Sequence, residues 1–454
     1  MKDENVDKKP KLSDNPILEP LLKTGAGFYG LFILMGIIVL VFAYAWYTQL
    51  TQGLSVTGMR DLGAPGGTPW GIYISTFIWW VGIAHGGIAI SAAIRLMKLE
   101  IYKPIARIAE VITPITLAMA GLAIVMDLGR PDRIFNMVLY YTDRISSSPL
   151  IWDLTVILVY MAFSITYLTI TLREDLAELI KEKIPKSVLI RVVYKFLLIG
   201  YNPKEKPKIE QMAWWLALAL IVLMALLSGG VIPWLFGLQV SRAGWFGAVL
   251  GPYFLTAAVT SAIAAIILVA AIVRSAYNWQ KYIQPQIFHG LGKALAVGIV
   301  LYLWFILHEQ ITMQYAGPVV EKQVSDSMLF GEYAPMFWLV TIGLIVSFIY
   351  FAIQGVNPKM FSLGLTTFFS GFVVVLFWIK RYLIITPPLS YNHLPNYHIG
   401  SYTPTWIEWA LVSGTIAIVV LLLMFFFKFF PAMELKTKAV EKVVATDGGE
   451  EKWH

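Results

Sequence analysis

Cysteine is missing from all 454 residues. That absence excludes disulfides, thiolate metal sites, cysteine-ligated iron–sulfur clusters and thioether-linked haem within the chain. Any redox centre of those kinds must sit in a partner. Charge is also scarce: Asp, Glu, Lys and Arg make up 14% of the residues, against roughly a quarter in soluble domains. Apolar residues fill the space. They account for 58% of the chain and gather into unbroken blocks such as Leu31 to Tyr44. Blocks of about 20 apolar residues match a hydrocarbon layer of about 30 Å at about 1.5 Å per helical residue. Lipid offers no water to an open backbone, and barrel strands would alternate rather than run unbroken, so the blocks read as helices.

Ten spans are expected, at 26–48, 70–96, 105–127, 150–172, 211–236, 250–274, 289–314, 333–356, 361–384 and 405–430. Lys and Arg concentrate in alternate connections: the 1–25 tail, the 97–106, 173–210 and 275–288 loops, and the 431–454 tail. Roughly 27 of the 35 fall on one side, which predicts both termini cytoplasmic; the expected location, a prokaryotic plasma membrane, is what the family resemblance given below implies. Met1 to Gly25 has no short apolar core or small-residue cleavage site, so the first span is expected to be a retained helix. The net charge of +7 is then topological; lipid is an expected partner and nucleic acid is not. The basic 173–210 loop reads either as an amphipathic helix on anionic headgroups or as a solvated linker. The 385–404 loop, poor in charge and rich in Pro, is expected to be ordered under an external partner.

A weak internal repeat organises the spans. Thr68-Pro69-Trp70-Gly71-Ile72-Tyr73 opens span two and Gly251-Pro252-Tyr253-Phe254 opens span six; these spans end at Arg95 and Arg274. Ser148-Pro149-Leu150-Ile151-Trp152-Asp153 and Tyr333-Ala334-Pro335-Met336-Phe337-Trp338 open spans four and eight. The fold expected is an all-α polytopic membrane protein with two parallel four-helix bundles, 70–236 and 250–384, and two peripheral helices.

An ionisable group inside a span costs about 2.5–3.5 kcal/mol on insertion scales, so each needs a reason to be there. Asp127 closes span three and Asp153 opens span four on the same side, around Asp127-Leu128-Gly129-Arg130-Pro131-Asp132-Arg133. The bland reading is two solvated helix ends, with Asp153 complementing a helix dipole. The sharper one is a carboxylate beside Arg130 that binds a quinol headgroup and takes its proton. His85 lies past the midplane of span two in Gly82-Ile83-Ala84-His85-Gly86-Gly87. It reads as a hydrogen-bonded His at a tight helix contact, a proton relay, or a haem ligand. The other His inside a span, His308, sits at a different depth, which argues against bis-His haem. With Glu110 and Glu309 these groups step from the outer face to the inner one as a candidate proton ladder.

Pro69-Trp70-Gly71-Ile72-Tyr73, Phe77 to Gly87, Arg107-Ile108-Ala109-Glu110, Leu128-Gly129-Arg130-Pro131 and Ser148 to Asp153 together resemble the NrfD/polysulfide-reductase membrane-subunit family. The likeness runs on through Pro252-Tyr253-Phe254, Tyr333 to Trp338, His393-Leu394-Pro395 and Tyr402 to Trp406, and so covers spans two to ten. The branch most resembled is the quinol-oxidising subunit of alternative complex III and of sulfite-reduction-associated complexes. The resemblance implies an integral subunit that binds no cofactor of its own. It would exchange electrons between membrane quinone, of the menaquinone type, and an extracytoplasmic ferredoxin-like iron–sulfur subunit, with molybdopterin-type or cytochrome subunits as further partners. His85, Arg130 and Asp153 match patterned positions; Asp127 stands where that branch usually has His. On this reading Asp127 or Asp153 accepts a proton, Arg130 fixes the headgroup and Trp70 packs against the ring. His85, Glu110, His308 and Glu309 would then carry protons. Two other classes remain open from the residues: an ion-coupled secondary transporter, and a purely structural anchor.

Overall fold

The computed structural model describes residues 16–59, 68–185, 187–315, 317–391 and 399–435. The His393-Leu394-Pro395 motif, Lys186 and most of both tails lie outside these. Every regular element among the described residues is helical, and ten helices are long and apolar enough to cross a membrane. Span one is Ala26–Gln52, span two Ile72–Leu96, span three Lys103–Asp127 and span four Pro149–Lys181. Span five begins as Lys206–Leu226, widens into a π turn at Leu227–Val231 and finishes as Ile232–Gly237. Spans six to ten are Leu250–Ala276, Pro285–Tyr315, Ala334–Val356, Leu363–Ser390 and Trp406–Phe429.

Two expected boundaries move. Span four runs nine residues past 172, so the first part of the 173–210 segment is membrane helix; only Val188–Leu197 is a separate amphipathic helix, with Val188, Leu189, Val192 and Phe196 exposed. Span nine continues through Pro387 and Pro388 to Ser390 instead of stopping at 384. Two prolines remove two backbone donors from that helix. The whole stretch from Lys380 to Ser390 is buried, and the packing this implies holds the helix where propensity would end it.

Span two is the hub. Every residue from Ile72 to Ala89 is buried, the signature of a helix apolar on all sides. It packs on spans three and five, which with span four close a ring; spans six to nine close a second ring, joined to the first where span two meets six and nine. Tryptophan N–H groups are satisfied across these contacts. Trp79 donates to Val374 O (3.1 Å), Trp80 to Thr415 Oγ1 (3.1 Å) and Trp378 to Thr76 Oγ1 (3.0 Å). Gly86 permits the two–six crossing: a Cβ there would stand 2.4 Å from Ala262 Cβ and 2.5 Å from Ala258 O. The flanking glycines read in the sequence as a tight helix contact are just that.

Span one rests on span ten, which in turn rests on span three. Both described ends lie on one side, here the termini face, as an even number of crossings requires. They are tied together: Lys428 Nζ donates to Pro20 O and Lys23 O, Trp279 Nε1 to Pro16 O, and the Tyr194 hydroxyl to Phe429 O. On the far face Glu408 plays the same part. It accepts from Gly58 N, Thr405 N and the Tyr402 hydroxyl, and that hydroxyl accepts from Ile72 N. Burial, with Glu408 alongside, pushes the Tyr402 phenol far above its ordinary range and keeps it a donor.

A Gly86→Val substitution should cost about 1–3 kcal/mol through overpacking and lower the thermal midpoint of the purified protein. Gly121→Ala serves as its control, because nothing lies within 4 Å of the added Cβ, and should leave the midpoint in place. Equal midpoints for the two variants would refute the close-approach account.

Candidate functional site

Asp153 lies in the first turns of span four, wholly buried, and neither carboxylate oxygen has a hydrogen-bond partner among the described residues. The helix periodicity carries its face inward. Asp153, Tyr160, Ser164, Tyr167, Thr171 and Asp175 follow at helical spacing, all buried except the half-buried Thr171, and form one polar stripe along the first ring. Tyr160, about 10 Å along the axis from Asp153, touches the middle of span two. Its ring meets His85 edge-on at 4.4 Å and its hydroxyl donates to His85 O at 3.3 Å. His85 Nδ1 is 2.6 Å from Ser228 Oγ, in the π turn of span five, and Nε2 has no partner among the described residues.

Toward the termini face the stripe becomes ionic. Glu110 accepts from Ser91 Oγ (2.9 Å) and Thr171 Oγ1 (2.7 Å). Arg107, wholly buried, places Nη2 3.0 Å from both Asp175 Oδ2 and Thr171 O, with Nε 3.5 Å from Glu110. Arg95 Nε donates to the Tyr167 hydroxyl (2.9 Å), and its Nη2 pairs with Glu434 (3.5 Å). Ser91, Glu110, Thr171, Asp175, Arg95 and Glu434 border a cavity of about 410 Å³ with several charged groups on its wall. Lys98 and Lys206 with Glu174 and Glu210 also line it.

The remaining expected residues go to other places. Asp127 ends span three with Oδ1 buried and unbonded. Beside it Gln49 of span one donates to Met126 O (2.6 Å) and accepts from the Tyr73 hydroxyl (2.7 Å). Arg130 does not join Asp127 and Asp153 in one pocket. Its guanidinium is exposed and clamps Asp132 through Nε (2.9 Å) and Nη2 (2.7 Å), holding that carboxyl below the usual range. A turn that can neutralise its own charge two residues on has no need of a distant acid. Trp70 stacks on Trp245 at 5.9 Å and meets Phe236 edge-on, among residues of spans five and six and their connection. His308 is exposed on the outer surface of span seven, while its neighbour Glu309 turns inward onto Lys380 of span nine (2.6 Å). Adjacent residues on a helix point about 100° apart, so the two could not both face the interior.

Over residues 61–392 the chain matches the family described as polysulphide reductase, NrfD. The protein belongs to the NrfD family. Among relatives, a Halobacterium salinarum protein assigned as a dimethyl sulfoxide reductase membrane subunit is 28% identical, covering 96% of this chain and 97% of that one. A selenate reductase subunit from Mesobacillus selenatarsenatis is 24% identical over 86% of this chain and 91% of its own. The Hdr-like menaquinol oxidoreductase integral membrane subunit of Archaeoglobus fulgidus is 22% identical over 92% and 96%.

This NrfD-family structure also holds buried polar residues that give little or no sign in the sequence: Gln49, Asp175, Ser228, Lys380, Arg381 and Glu408. Lys380 and Arg381 are the most findable, as a basic pair inside an apolar run. Ser228 carries no signal, because a lone Ser in a membrane helix commonly bonds its own backbone. Among the described residues no group of three His, Asp or Glu is placed to hold a metal ion.

Removing one member of a buried ion pair strands the other, at about 3–5 kcal/mol. Arg107→Met should therefore destabilise the protein strongly in denaturation assays. Adding Asp175→Asn should recover part of the loss. Additive losses in the double variant would show that the two residues are not coupled.

Proposed function

We propose that this NrfD-family protein is the quinone-handling membrane subunit of a multisubunit oxidoreductase, exchanging electrons with an iron–sulfur subunit docked on the far face. Membership of the family and relatives named as membrane subunits of reductase and menaquinol oxidoreductase complexes support a place in a redox complex. The observation that carries the finer reading is Asp153. A carboxyl group with both oxygens buried and unbonded is costly unless chemistry uses it. It stands at the start of a polar stripe that leads through Tyr160 and His85 to Glu110.

On this reading Asp153 accepts a proton when quinol is oxidised, or returns it when quinone is reduced, with Asp127 at the neighbouring helix end as a second acceptor. Tyr160 and His85 continue the route inward, and Glu110 opens it to the cavity. Electrons leave directly to the partner's cluster, since the chain has no cysteine to hold one. Phe135, Val138 and Leu139 are exposed on the far-face connection between spans three and four, an apolar patch suited to a docked subunit. The excess of Lys and Arg on the termini face favours a cytoplasmic position for that face.

An Asp153→Asn variant keeps the shape and removes the proton acceptor. It should lower quinol-dependent reduction of the purified complex by about a hundredfold while assembly of the complex survives. Turnover at the wild-type rate in an assembled complex would take Asp153 out of the mechanism. Solute uptake by the isolated chain in liposomes would favour an ion-coupled transporter instead.

A further inference from the structure

Span five is continuous from Lys206 except at Leu227–Val231, where the helix widens into a π turn of sequence Leu-Ser-Gly-Gly-Val. Such turns are rare and cluster at functional sites. Two features of the packing show what this one does. It lets span six come close, since a Cβ on Gly251 would lie 2.4 Å from Gly229 O. It also turns Ser228 onto span two, where Oγ lies 2.6 Å from His85 Nδ1.

The protonation pattern follows from counting donors and acceptors. His85 is fully buried and Nε2 has no partner among the described residues. Among the described residues Ser228 Oγ has the one partner, Nδ1. If Nδ1 carried the proton and donated to Ser228, the serine proton would have no acceptor and Nε2 would be an unmet acceptor as well. If the serine hydroxyl donates to Nδ1, a single group is left over, the Nε2–H. Each unmet buried group costs free energy, so the second arrangement wins. Tyr160 does not alter the balance, because its hydroxyl goes to the backbone carbonyl of His85 and its ring meets the imidazole edge-on.

We propose that Ser228 is a positioning residue for His85, placed by the π turn so that the imidazole is held as the Nε2–H tautomer with that N–H free to donate. A hydroxyl can also rotate and accept, so the same serine serves the imidazolium if His85 takes up a proton at Nδ1. Alanine can do neither; threonine can do both. The role in turnover rests on the proton route proposed above, but the tautomer does not.

The test therefore has two arms. Solid-state NMR of the intact complex with 15N-labelled histidine, with His85 assigned by difference against His85→Gln, should show Nδ1 unprotonated and Nε2 protonated. Ser228→Ala should replace that pattern with a mixture or the opposite tautomer, and Ser228→Thr should keep it. A protonated Nδ1 in the wild type, or an unchanged spectrum in Ser228→Ala, overturns the proposal. In the second arm, Ser228→Ala should lower quinol turnover about fivefold, the value of one neutral hydrogen bond, with Ser228→Thr near wild type. It should have no further effect in a His85→Gln background. An equal loss in that background means that Ser228 does not act through His85. If His85→Gln alone leaves turnover intact, the proton route through His85 fails, while the tautomer assignment still stands or falls on the spectrum.

Discussion

A carboxylate inside a lipid-embedded bundle has no bulk water to turn to, and whether it finds a protein partner sorts the buried acids of this molecule into two kinds. Asp175 finds one: Arg107 reaches it at 3.0 Å and Leu435 N donates to its other oxygen at 3.1 Å. Glu110 finds Ser91, Thr171 and Arg107. These bonds join spans two, three and four and the segment after span ten at one level. Asp153, on the same helix as Asp175, has none. Span four is thus fastened by its acid at one end, while the acid at the other is left with its bonding capacity unspent.

The two rings put their charge at opposite levels. In the first ring the ion pairs lie toward the termini face and border a cavity. In the second they lie toward the far face, where Lys380 pairs with Glu309 and the Arg381 guanidinium sits over the Phe254 ring at 4.5 Å. Arg381 Nη1 has no hydrogen-bond partner among the described residues. Aromatic side chains from both rings meet beside it, Trp70 of the first with Phe236, Trp245 and Phe254. The two rings match in the order of their helix contacts and differ in where they place charge.

How much of this is legible in the sequence depends on the range of the interaction. The ten spans are legible because a run of apolar residues is a local property that lipid enforces directly. The close approach at Gly86 is legible too, since two glycines beside a buried His have few other uses in a membrane helix. The helix end beyond Pro387-Pro388 is not, because the packing that overrides the prolines comes from residues far away in the chain. Arg130 misleads for the opposite reason: its partner is only two residues off, and a more distant acid offers the more inviting chemistry. The Lys380–Glu309 pair spans 71 positions and the His85–Ser228 contact 143. No local pattern announces such pairs. They follow from the ring closures, which become visible only once the helices are set side by side.

The seating of the first helix against the last has a bearing on biogenesis. Span one makes its main contact with span ten, and more than 350 residues separate Gln52 from Trp406. At about 5–20 residues per second, the ribosome takes roughly 20 to 70 seconds to supply that partner. Through this interval span one lacks its main partner and has lipid along most of its length, with Gln49 near its far end reaching Met126 O and Tyr73; its nearly unbroken apolar surface tolerates the exposure. The newborn chain therefore closes on itself late, and a stalled or truncated translation product would carry an unmated N-terminal helix that quality-control proteases in the bilayer could recognise.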